Sequence, residues 1–391
     1  MVRLHALSLI AVAPLAAGCA HTSRDRQPDA AHTPAPAPMR VDPNAPTVEV
    51  LAHTVIPPDH PTFGRIGGLS GALFRPHRSP EGVRSPLDPR GMAPVEFVSD
   101  HPDTPRTLHA GLRLTPTDDG PYEIEIRFDY DELPDWSRAK DAEAIARITN
   151  NNGELYAIAF EDPPTIAIRE FDPDSRWQVR HHLPAIPPTV TNNARINRAF
   201  ESVAITGDGT VWAATEAALT TDGPGASTDA GTRCVVLTGD ADAMSESYFY
   251  ETDPMPSHLG ERFAIHSLVE LEALPGNRLL AMERSLTLPA GYAATLYLID
   301  GTTQPATADA RLPVLNKAPI ADLGALMRET GVPWVGNLEG LALGPSIATL
   351  TGDDTQSGCL LLVVADDNFG ADAQKTGTQV VALRWREPPT E

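Results

Sequence analysis

Acidic residues recur at the ends of short apolar segments, and carboxylates are the side chains that bind hard cations and activate water. In the clearest example, Glu201 precedes the apolar segment 203–205, a Gly-Asp-Gly turn occupies 207–209, and Glu216 follows the apolar segment 211–213. An antiparallel hairpin folded at that turn brings its two ends together. The spacing therefore predicts that Glu201 and Glu216 lie at the same end of one hairpin.

Four other segments repeat this plan of an apolar strand, a turn, and a second apolar strand with an acidic residue at its end. They cover residues 143–161, 267–283, 339–367 and 68–100, the last two with longer connections. Repeated hairpins of one design are typical of radial architectures, which leave only short sheet edges exposed. We therefore predict an all-β protein with little helix, folded as a β-propeller of five or six blades.

The number of blades depends on segments outside the five hairpins. Residues 105–130, or the two ends of the domain, could supply a sixth blade. Only residues 320–330, which follow Pro319 and end before Gly331, have a convincing helical pattern.

The same hairpins carry motifs that resemble the phytase-like family, which is described as having the esterase-like activity of phytase. In chain order the motifs are Gly67-Gly68-Leu69-Ser70-Gly71, Asn197-Arg198-Ala199-Phe200-Glu201, Leu280-Ala281-Met282-Glu283-Arg284, Lys317 with Asp322-Leu323, Glu339-Gly340-Leu341-Ala342-Leu343 and Asp366-Asp367-Asn368-Phe369-Gly370. The resemblance implies a propeller-like repeat and an esterase or phosphodiesterase activity linked to its Glu and Asp residues. The chain departs from the family pattern at Ala199 and Ser202, where Gly is usual, and at Ser285, where Asp is common.

Carboxylates gathered at one end of neighbouring blades repel one another, and a bound divalent cation relieves this repulsion. Oxygen ligands of this kind favour Ca²⁺ or Mg²⁺, and we expect Ca²⁺. The candidate metal ligands are Glu143, Glu201, Glu339, Asp366 and Asp100.

Hydrolysis also needs a group that activates water and positive charge that binds the ester. The candidate catalytic residues are Glu201 and Glu283, with Glu283 as a general base. Arg198, Arg284 and Lys317 are the candidate substrate-binding residues, since guanidinium and ammonium groups bind phosphate oxygens. The expected partner is a small-molecule ester or phosphoester.

Two other interpretations use the same residues. Carboxylates beside arginines can form ion pairs that join one blade to the next, with Glu283 and Arg198 as one possible pair. The protein would then be a non-catalytic, Ca²⁺-stabilised propeller that binds a protein or glycan in the cell envelope. A lactonase-like propeller would share the metal site and differ in its substrate.

The charge balance and the missing motifs exclude several classes of function. The chain has 30 Lys and Arg residues against 52 Asp and Glu, a net charge of −22, which argues against nucleic acid as a partner. No Gly-x-Ser-x-Gly, His-Glu-x-x-His or Cys-x-x-Cys sequence is present. These absences argue against a serine hydrolase of the nucleophile-elbow type and against the corresponding zinc sites.

The first residues have the pattern of an export signal. A short apolar segment follows Arg3, and small residues precede Cys19, which predicts a lipoprotein signal over 1–18 and lipidation of Cys19. Residues 19–46 are rich in Pro and Ala and are expected to form a tether, followed by the phytase-like propeller domain over 47–386. The expected location is the cell envelope, in the outer membrane facing the periplasm or the cell surface, with the lipid as the only membrane contact. Cys234 and Cys359 remain, as a disulfide or as two free thiols.

Overall fold

The central strands of this protein are buried on both faces, which explains why they read as nearly continuous apolar segments. All six residues of Phe200–Ile205 are buried, as are seven of the eight residues of Cys359–Asp366. Successive side chains of a strand point to opposite faces, so a strand buried on both faces must have a neighbouring sheet on each side.

The structure is a computed structural model that describes residue 42 and residues 44–388, apart from 61–63, 79–83, 101–105, 118–119, 129–140, 151–152, 162, 172–177, 257–262, 289–290, 305–310 and 368–376. The predicted signal peptide, Cys19 and most of the predicted tether lie outside the described residues. Within the described ranges, no helix has both the length and the apolar character needed to cross a bilayer.

The strands and helices follow one another in five groups. The N-terminal strands are β1 (Thr47–Ile56), β2 (Asp59–His60) and β3 (Gly64–Arg65). Blade one begins with β4 (Leu69–Phe74), and β5 (His77–Arg78) and β6 (Arg84–Ser85) then form a small separate sheet. The blade continues with β7 (Ala93–Ser99), β8 (Arg106–Thr117) and β9 (Gly120–Phe128). Blade two contains β10 (Ala142–Asn150), β11 (Gly153–Phe160), β12 (Thr165–Phe171) and β13 (Gln178–His182), and α1 (Pro188–Asn193) follows it.

The remaining elements complete the domain. Blade three contains β14 (Phe200–Ile205), β15 (Val211–Thr215), β16 (Arg233–Gly239) and β17 (Met244–Glu251). Blade four contains β18 (Phe263–Leu274), β19 (Arg278–Leu288), β20 (Gly291–Ile299) and β23 (Ala318–Asp322), while β21 (Thr303–Gln304) and β22 (Val314–Leu315) extend the sheet of blade three. The helix α2 (Leu323–Glu329) precedes blade five, which contains β24 (Asn337–Ser346), α3 (Ile347–Thr351), β25 (Cys359–Asp366) and β26 (Thr378–Arg386).

The five sheets form a closed ring. Their innermost strands, β4, β10, β14, β18 and β24, contact one another in that order, and β24 contacts β4. A separate hydrophobic cluster fills the space between each pair of neighbouring blades. The first strand β1 pairs with the last strand β26, so blade five combines both ends of the domain. The protein is a five-bladed β-propeller.

This architecture confirms the predicted all-β fold and all five predicted hairpins. Of the two predicted blade numbers, the structure has five, because residues 106–128 form β8 and β9 of blade one, and the two ends of the domain join blade five. The helix predicted over 320–330 is found as α2 over 323–329, while 320–322 belong to β23, and the Asp322 side chain accepts a hydrogen bond from the Ala325 N–H at the helix N-terminus. Cys234 and Cys359 are both free thiols.

Candidate active site at the propeller axis

A β-bulge occurs at the same point of each innermost strand, and in three blades the bulged residue is a glutamate that lines a shared cavity. The strand register skips one residue in every case: Ser70, Glu143, Glu201, Val269 and Glu339 in blades one to five. Such a bulge changes the direction of a side chain without ending the strand. Three of the five blades therefore contribute a glutamate here.

The second strand of each blade contributes a further residue at the same level. On the second strands, the residues that pair with the residue just before each bulge are Ser99, Phe160, Thr215, Glu283 and Ala365. The residues that follow are Asp100, Glu161, Glu216, Arg284 and Asp366. Four blades thus place an acid at this position, while blade four places an arginine.

These residues surround a cavity of about 500 Å³. Its acidic lining consists of Asp100, Asp141, Glu143, Glu161, Glu201, Glu216, Glu339 and Asp366. The basic lining among the described residues is Arg198 and Arg284. The volume is typical of a small-molecule site, and carboxylates outnumber guanidinium groups four to one. We refer to this cavity as the axial pocket.

Two groups of three carboxylates lie within the axial pocket. Oxygen atoms of Asp100, Asp141 and Glu143 lie within 4.8 Å of one another, and so do those of Glu161, Glu201 and Glu216. Glu143 and Glu201 are only 7% and 9% exposed, and no donor among the described residues contacts either carboxylate. One carboxylate oxygen of Asp100, Oδ1, is also buried without a hydrogen-bond partner. Buried oxygens of this kind fit a divalent cation.

The pKa values of these acids reflect the same crowding. Burial raises the pKa of Asp100 to about 9, with further contributions from Asp366 and Glu339. Burial and the neighbouring carboxylates also raise the pKa of Glu143 and of Glu201 well above the usual range. The pKa of Glu161 is raised to about 8 by burial and by Glu216, although the Ala199 N–H donates a hydrogen bond to its carboxylate. Without a cation, these groups would therefore hold protons at neutral pH.

Arg284 compensates the carboxylates on the opposite side of the pocket. Its Nη2 donates to Glu216 Oε1 at 3.0 Å, and its Nη1 contacts Glu339 Oε1 and donates to Asn337 Oδ1 at 2.7 Å. Burial disfavours the charged guanidinium, but the three carboxylates around it outweigh this effect and raise the pKa of Arg284. Arg284 is therefore a permanent cation that joins blades three, four and five.

Arg198 is the second guanidinium in the pocket. It lies just before β14, is partly buried, and makes no side-chain hydrogen bond or ion pair with a described residue. Of the predicted substrate-binding residues, Arg198 is thus the one whose donors are available to a ligand.

Glu283 and Lys317 lie outside the axial pocket. Glu283 accepts hydrogen bonds from Tyr250 Oη at 2.6 Å and from the Asp253 N–H at 2.9 Å, lies 2.7 Å from His266 Nε2, and contacts Lys317 Nζ. Its side chain has no exposed surface. The expected roles of Glu283 as a general base and of Lys317 in substrate binding do not fit this placement. The expected Glu283–Arg198 pair is also absent, since Lys317 is the cation beside Glu283.

The structure brings the other predicted residues together and adds new ones. Glu143, Glu201, Glu339, Asp366, Asp100, Arg198 and Arg284 all line the axial pocket. Glu339, however, is paired with Arg284 and belongs to neither group of three carboxylates. Sequence reasoning missed Asp141 and Asn337, which stand just before or at the start of an innermost strand. Their position two residues before Glu143 and Glu339 was the available signal.

Comparison with known proteins gives results of different weight. No curated protein is significantly similar to the chain. Among solved structures, the major allergen Mala s 1 of Malassezia sympodialis is similar over 74% of this chain and 73% of its own, with 11% sequence identity and a TM-score of 0.31. Residues 65–369 match the phytase-like family, described as "esterase-like activity of phytase". The match covers most of the chain and confirms the resemblance that its motifs indicate, so this protein belongs to the phytase-like family.

Proposed function

We propose that the protein is a hydrolase of phosphoric esters that works with a divalent cation, Ca²⁺ by the chemistry of its ligands, in the axial pocket. The observation that carries this proposal is the pair of buried carboxylates, Glu143 and Glu201, that contact no donor among the described residues. The membership of the phytase-like family and the available guanidinium of Arg198 support the same conclusion.

Glu143 and Asp100, whose Oδ1 is buried without a hydrogen-bond partner among the described residues, are the better place for the cation. In the second group of three carboxylates, Glu216 already accepts hydrogen bonds from Ser267 Oγ at 2.7 Å and from Arg284, and Glu161 accepts one from Ala199. A bound divalent cation supplies positive charge that offsets the negative charge of the ester and lowers the pKa of water.

The residues of the chain perform the remaining steps. Arg198 binds the phosphoryl oxygens with two charge-assisted hydrogen bonds. Glu201, which is deprotonated once a cation offsets the charge of the neighbouring Glu143, accepts a proton from the attacking water while the water oxygen forms a bond to phosphorus. The ester P–O bond then breaks, the released alkoxide takes up a proton from solvent, and Glu201 returns its proton to solvent, so that the products are an alcohol and a phosphate.

The experiment compares the purified domain with two variants. Phosphomonoesters, phosphodiesters and carboxylic esters are assayed with Ca²⁺ and with a chelator. We expect cation-dependent hydrolysis, a loss of about a hundredfold or more in kcat for Glu201→Gln, and little change for Glu272→Gln. Glu272 is a suitable control because its pKa is also raised, to about 8, by burial, yet it lies outside the pocket and bonds to the Leu343 N–H.

Full activity of Glu201→Gln would remove the assignment of the base. If no ester is hydrolysed but Ca²⁺ raises the melting temperature, the non-catalytic Ca²⁺-stabilised propeller replaces the hydrolase. The bridging of blades three, four and five by Arg284 is the feature that favours this second candidate.

A further inference from the structure

One wall of the axial pocket is apolar, and all of it comes from blade four. Ile265, Leu286 and Tyr292 line the pocket and are each partly buried. They are directly paired across three adjacent strands, Ile265 with Leu286 between β18 and β19, and Leu286 with Tyr292 between β19 and β20. Paired residues on one face of a sheet have their Cβ atoms about 5 Å apart, so the three side chains form a continuous row. We call this row the apolar wall.

The apolar wall begins next to Arg284, at the edge of the charged part of the pocket. Leu286 follows Arg284 by two residues in β19, so both side chains are on the same face, about 7 Å apart along the strand. Leu288, two residues further on, is 49% exposed. The hairpin of β18 and β19 thus carries an apolar surface from the guanidinium of Arg284 out towards solvent.

The apolar wall makes the pocket two-sided. The other twelve of the fifteen described lining residues are Asp, Glu, Asn or Arg, and they come from the remaining blades and from the level of Arg284. Outside the lining, Ile196 is 97% exposed and stands next to the lining residues Asn197 and Arg198. Partly exposed apolar side chains beside a charged site gain free energy when a ligand covers them.

We propose that the substrate is a phosphoric ester of an apolar alcohol, with an aryl or alkyl group that lies against Ile265, Leu286 and Tyr292. This inference rests on the proposed hydrolysis of phosphoric esters. The phosphoryl group is held at Arg198 near the carboxylates, and the leaving alcohol extends along β19 away from them. Tyr292 provides an aromatic face for an aryl group.

The charge of the pocket argues against a polyol that carries many phosphates. Such a ligand brings several negative charges and no apolar surface into a site lined by eight carboxylates and two arginines. An ester with a single phosphate places its one charged group at Arg198 and leaves the apolar wall to the rest of the molecule. The two classes of ligand therefore predict opposite rankings.

The test compares ligands and variants in the presence of Ca²⁺. The kcat/KM values of phenyl phosphate, butyl phosphate, methyl phosphate and inositol hexakisphosphate are measured for the wild type, Leu286→Ala and Leu298→Ala. Binding of phenylphosphonate and methylphosphonate, which cannot lose an alcohol by ester hydrolysis, is measured by calorimetry for the same proteins. Leu298 is a matched control because it is a partly buried leucine of β20 that packs in the core between blades four and five and does not line the pocket.

We expect the phenyl ester to be preferred over the methyl ester by about tenfold or more, and Leu286→Ala to remove most of this preference. Leu298→Ala should keep the preference even if it lowers stability. Equal rates for phenyl and methyl esters, an unchanged preference in Leu286→Ala, or a preference for inositol hexakisphosphate would overturn the apolar-wall proposal while leaving hydrolysis intact.

The phosphonates separate this proposal from the hydrolase. If no ester is hydrolysed but phenylphosphonate binds about tenfold more tightly than methylphosphonate, and Leu286→Ala removes the difference, the apolar wall is a ligand site and the hydrolase is rejected. If neither phosphonate binds and no ester is hydrolysed, both proposals are rejected.

Discussion

Arg284 Nη2 lies 3.0 Å from Glu216 Oε1, although the two residues belong to neighbouring blades and are 68 positions apart in the sequence. Arg284 occupies the position at which the other four blades carry an acid. The arginine at this one position of the repeat therefore compensates carboxylates of blades three and five. Carboxylates of blades one and two remain available to a cation.

Replacement of Arg284 should destabilise the protein more at alkaline than at acidic pH. Arg284→Met leaves Glu216 and Glu339 buried without their cation, which costs about 3–5 kcal/mol in the free energy of unfolding. The pKa of Glu339, already raised to about 8, would rise further, so that this carboxylate binds a proton at low pH and the cost decreases. Urea unfolding at pH 5 and pH 8 measures the difference.

Arg278→Met is the control for this experiment. Arg278 Nη2 forms an ion pair with Glu387 at 2.7 Å, but both side chains are partly exposed. Its loss should cost less than about 1 kcal/mol at either pH. An equal cost for the two variants would show that Arg284 does not compensate buried charge.

The stability of the cation-free protein should fall as the pH rises. The pKa values of Asp100, about 9, and of Glu161 and Glu339, about 8, lie above the values of about 4 expected in the unfolded chain. The folded state therefore binds more protons than the unfolded state between about pH 4 and pH 9, and stability present below pH 4 is lost across this range.

Calcium should reverse this loss. Thermal unfolding in chelator should show a melting temperature that falls by on the order of 5 °C or more between pH 5 and pH 9. Added Ca²⁺ should raise the melting temperature more at pH 8 than at pH 5, because protons compete with the cation for the carboxylates. A flat pH profile in chelator would contradict the raised pKa values.

Arg198 should contribute to substrate binding without contributing to cation binding. We expect Arg198→Ala to lower kcat/KM for a phosphoric ester by about tenfold or more, since charge-assisted hydrogen bonds contribute about 1.5–3 kcal/mol. The increase in melting temperature with Ca²⁺ should be retained. Arg328→Ala, at an exposed position of α2, serves as the control. Unchanged kcat/KM in Arg198→Ala would remove this residue from the site.

Lys317 and Glu283 should stabilise the junction between blades three and four rather than act on substrate. Lys317 Nζ lies 2.7 Å from Asp253, contacts Glu283, and is 4.2 Å and 5.1 Å from the ring centroids of Tyr297 and Tyr250. Lys317→Met should cost about 3–5 kcal/mol in the free energy of unfolding because it leaves Glu283 buried without its cation.

A double-mutant cycle with Glu283→Gln checks this role. The double variant should lose less stability than the sum of the two single variants, because each single change already breaks the same pair. The folded Lys317→Met protein should keep its response to Ca²⁺. Additive losses, or a lost Ca²⁺ response in folded protein, would contradict a purely stabilising role.

The hairpins were predictable because each combines a short apolar strand, a turn and a second apolar strand. The sequence also indicated that Glu143, Glu201, Glu339 and Asp366 would meet, since antiparallel pairing brings the ends of each hairpin together. Gly71 follows the β-bulge at Ser70 in β4. A Cβ atom at position 71 would lie 3.0 Å from the Ala144 Cα atom of β10. Its place in the motif Gly67-Gly68-Leu69-Ser70-Gly71 therefore reflects the close approach of β4 and β10.

The exact membership of the site could not be read from the spacing of acids. Glu283 and Arg284 are neighbours in β19, and side chains of successive residues point to opposite faces of a strand. The register, set by the bulge at Val269, directs Arg284 to the axis and Glu283 to the junction with blade three. A shift of the strand register by one residue would have exchanged the positions of Glu283 and Arg284. No local pattern in the sequence determines this register.

The pairing of β1 with β26 also has a consequence for biosynthesis. Thr47 lies opposite Arg386, so the first strand of the domain has no partner until nearly the entire polypeptide has left the ribosome. Closure is thus a late event in folding, and it brings the carboxylates of blades one and five to their final separation. A circular permutant that starts at the Gly207-Asp208-Gly209 turn would join these two strands through a linker, and β14 and β15 would instead become the strands that pair last.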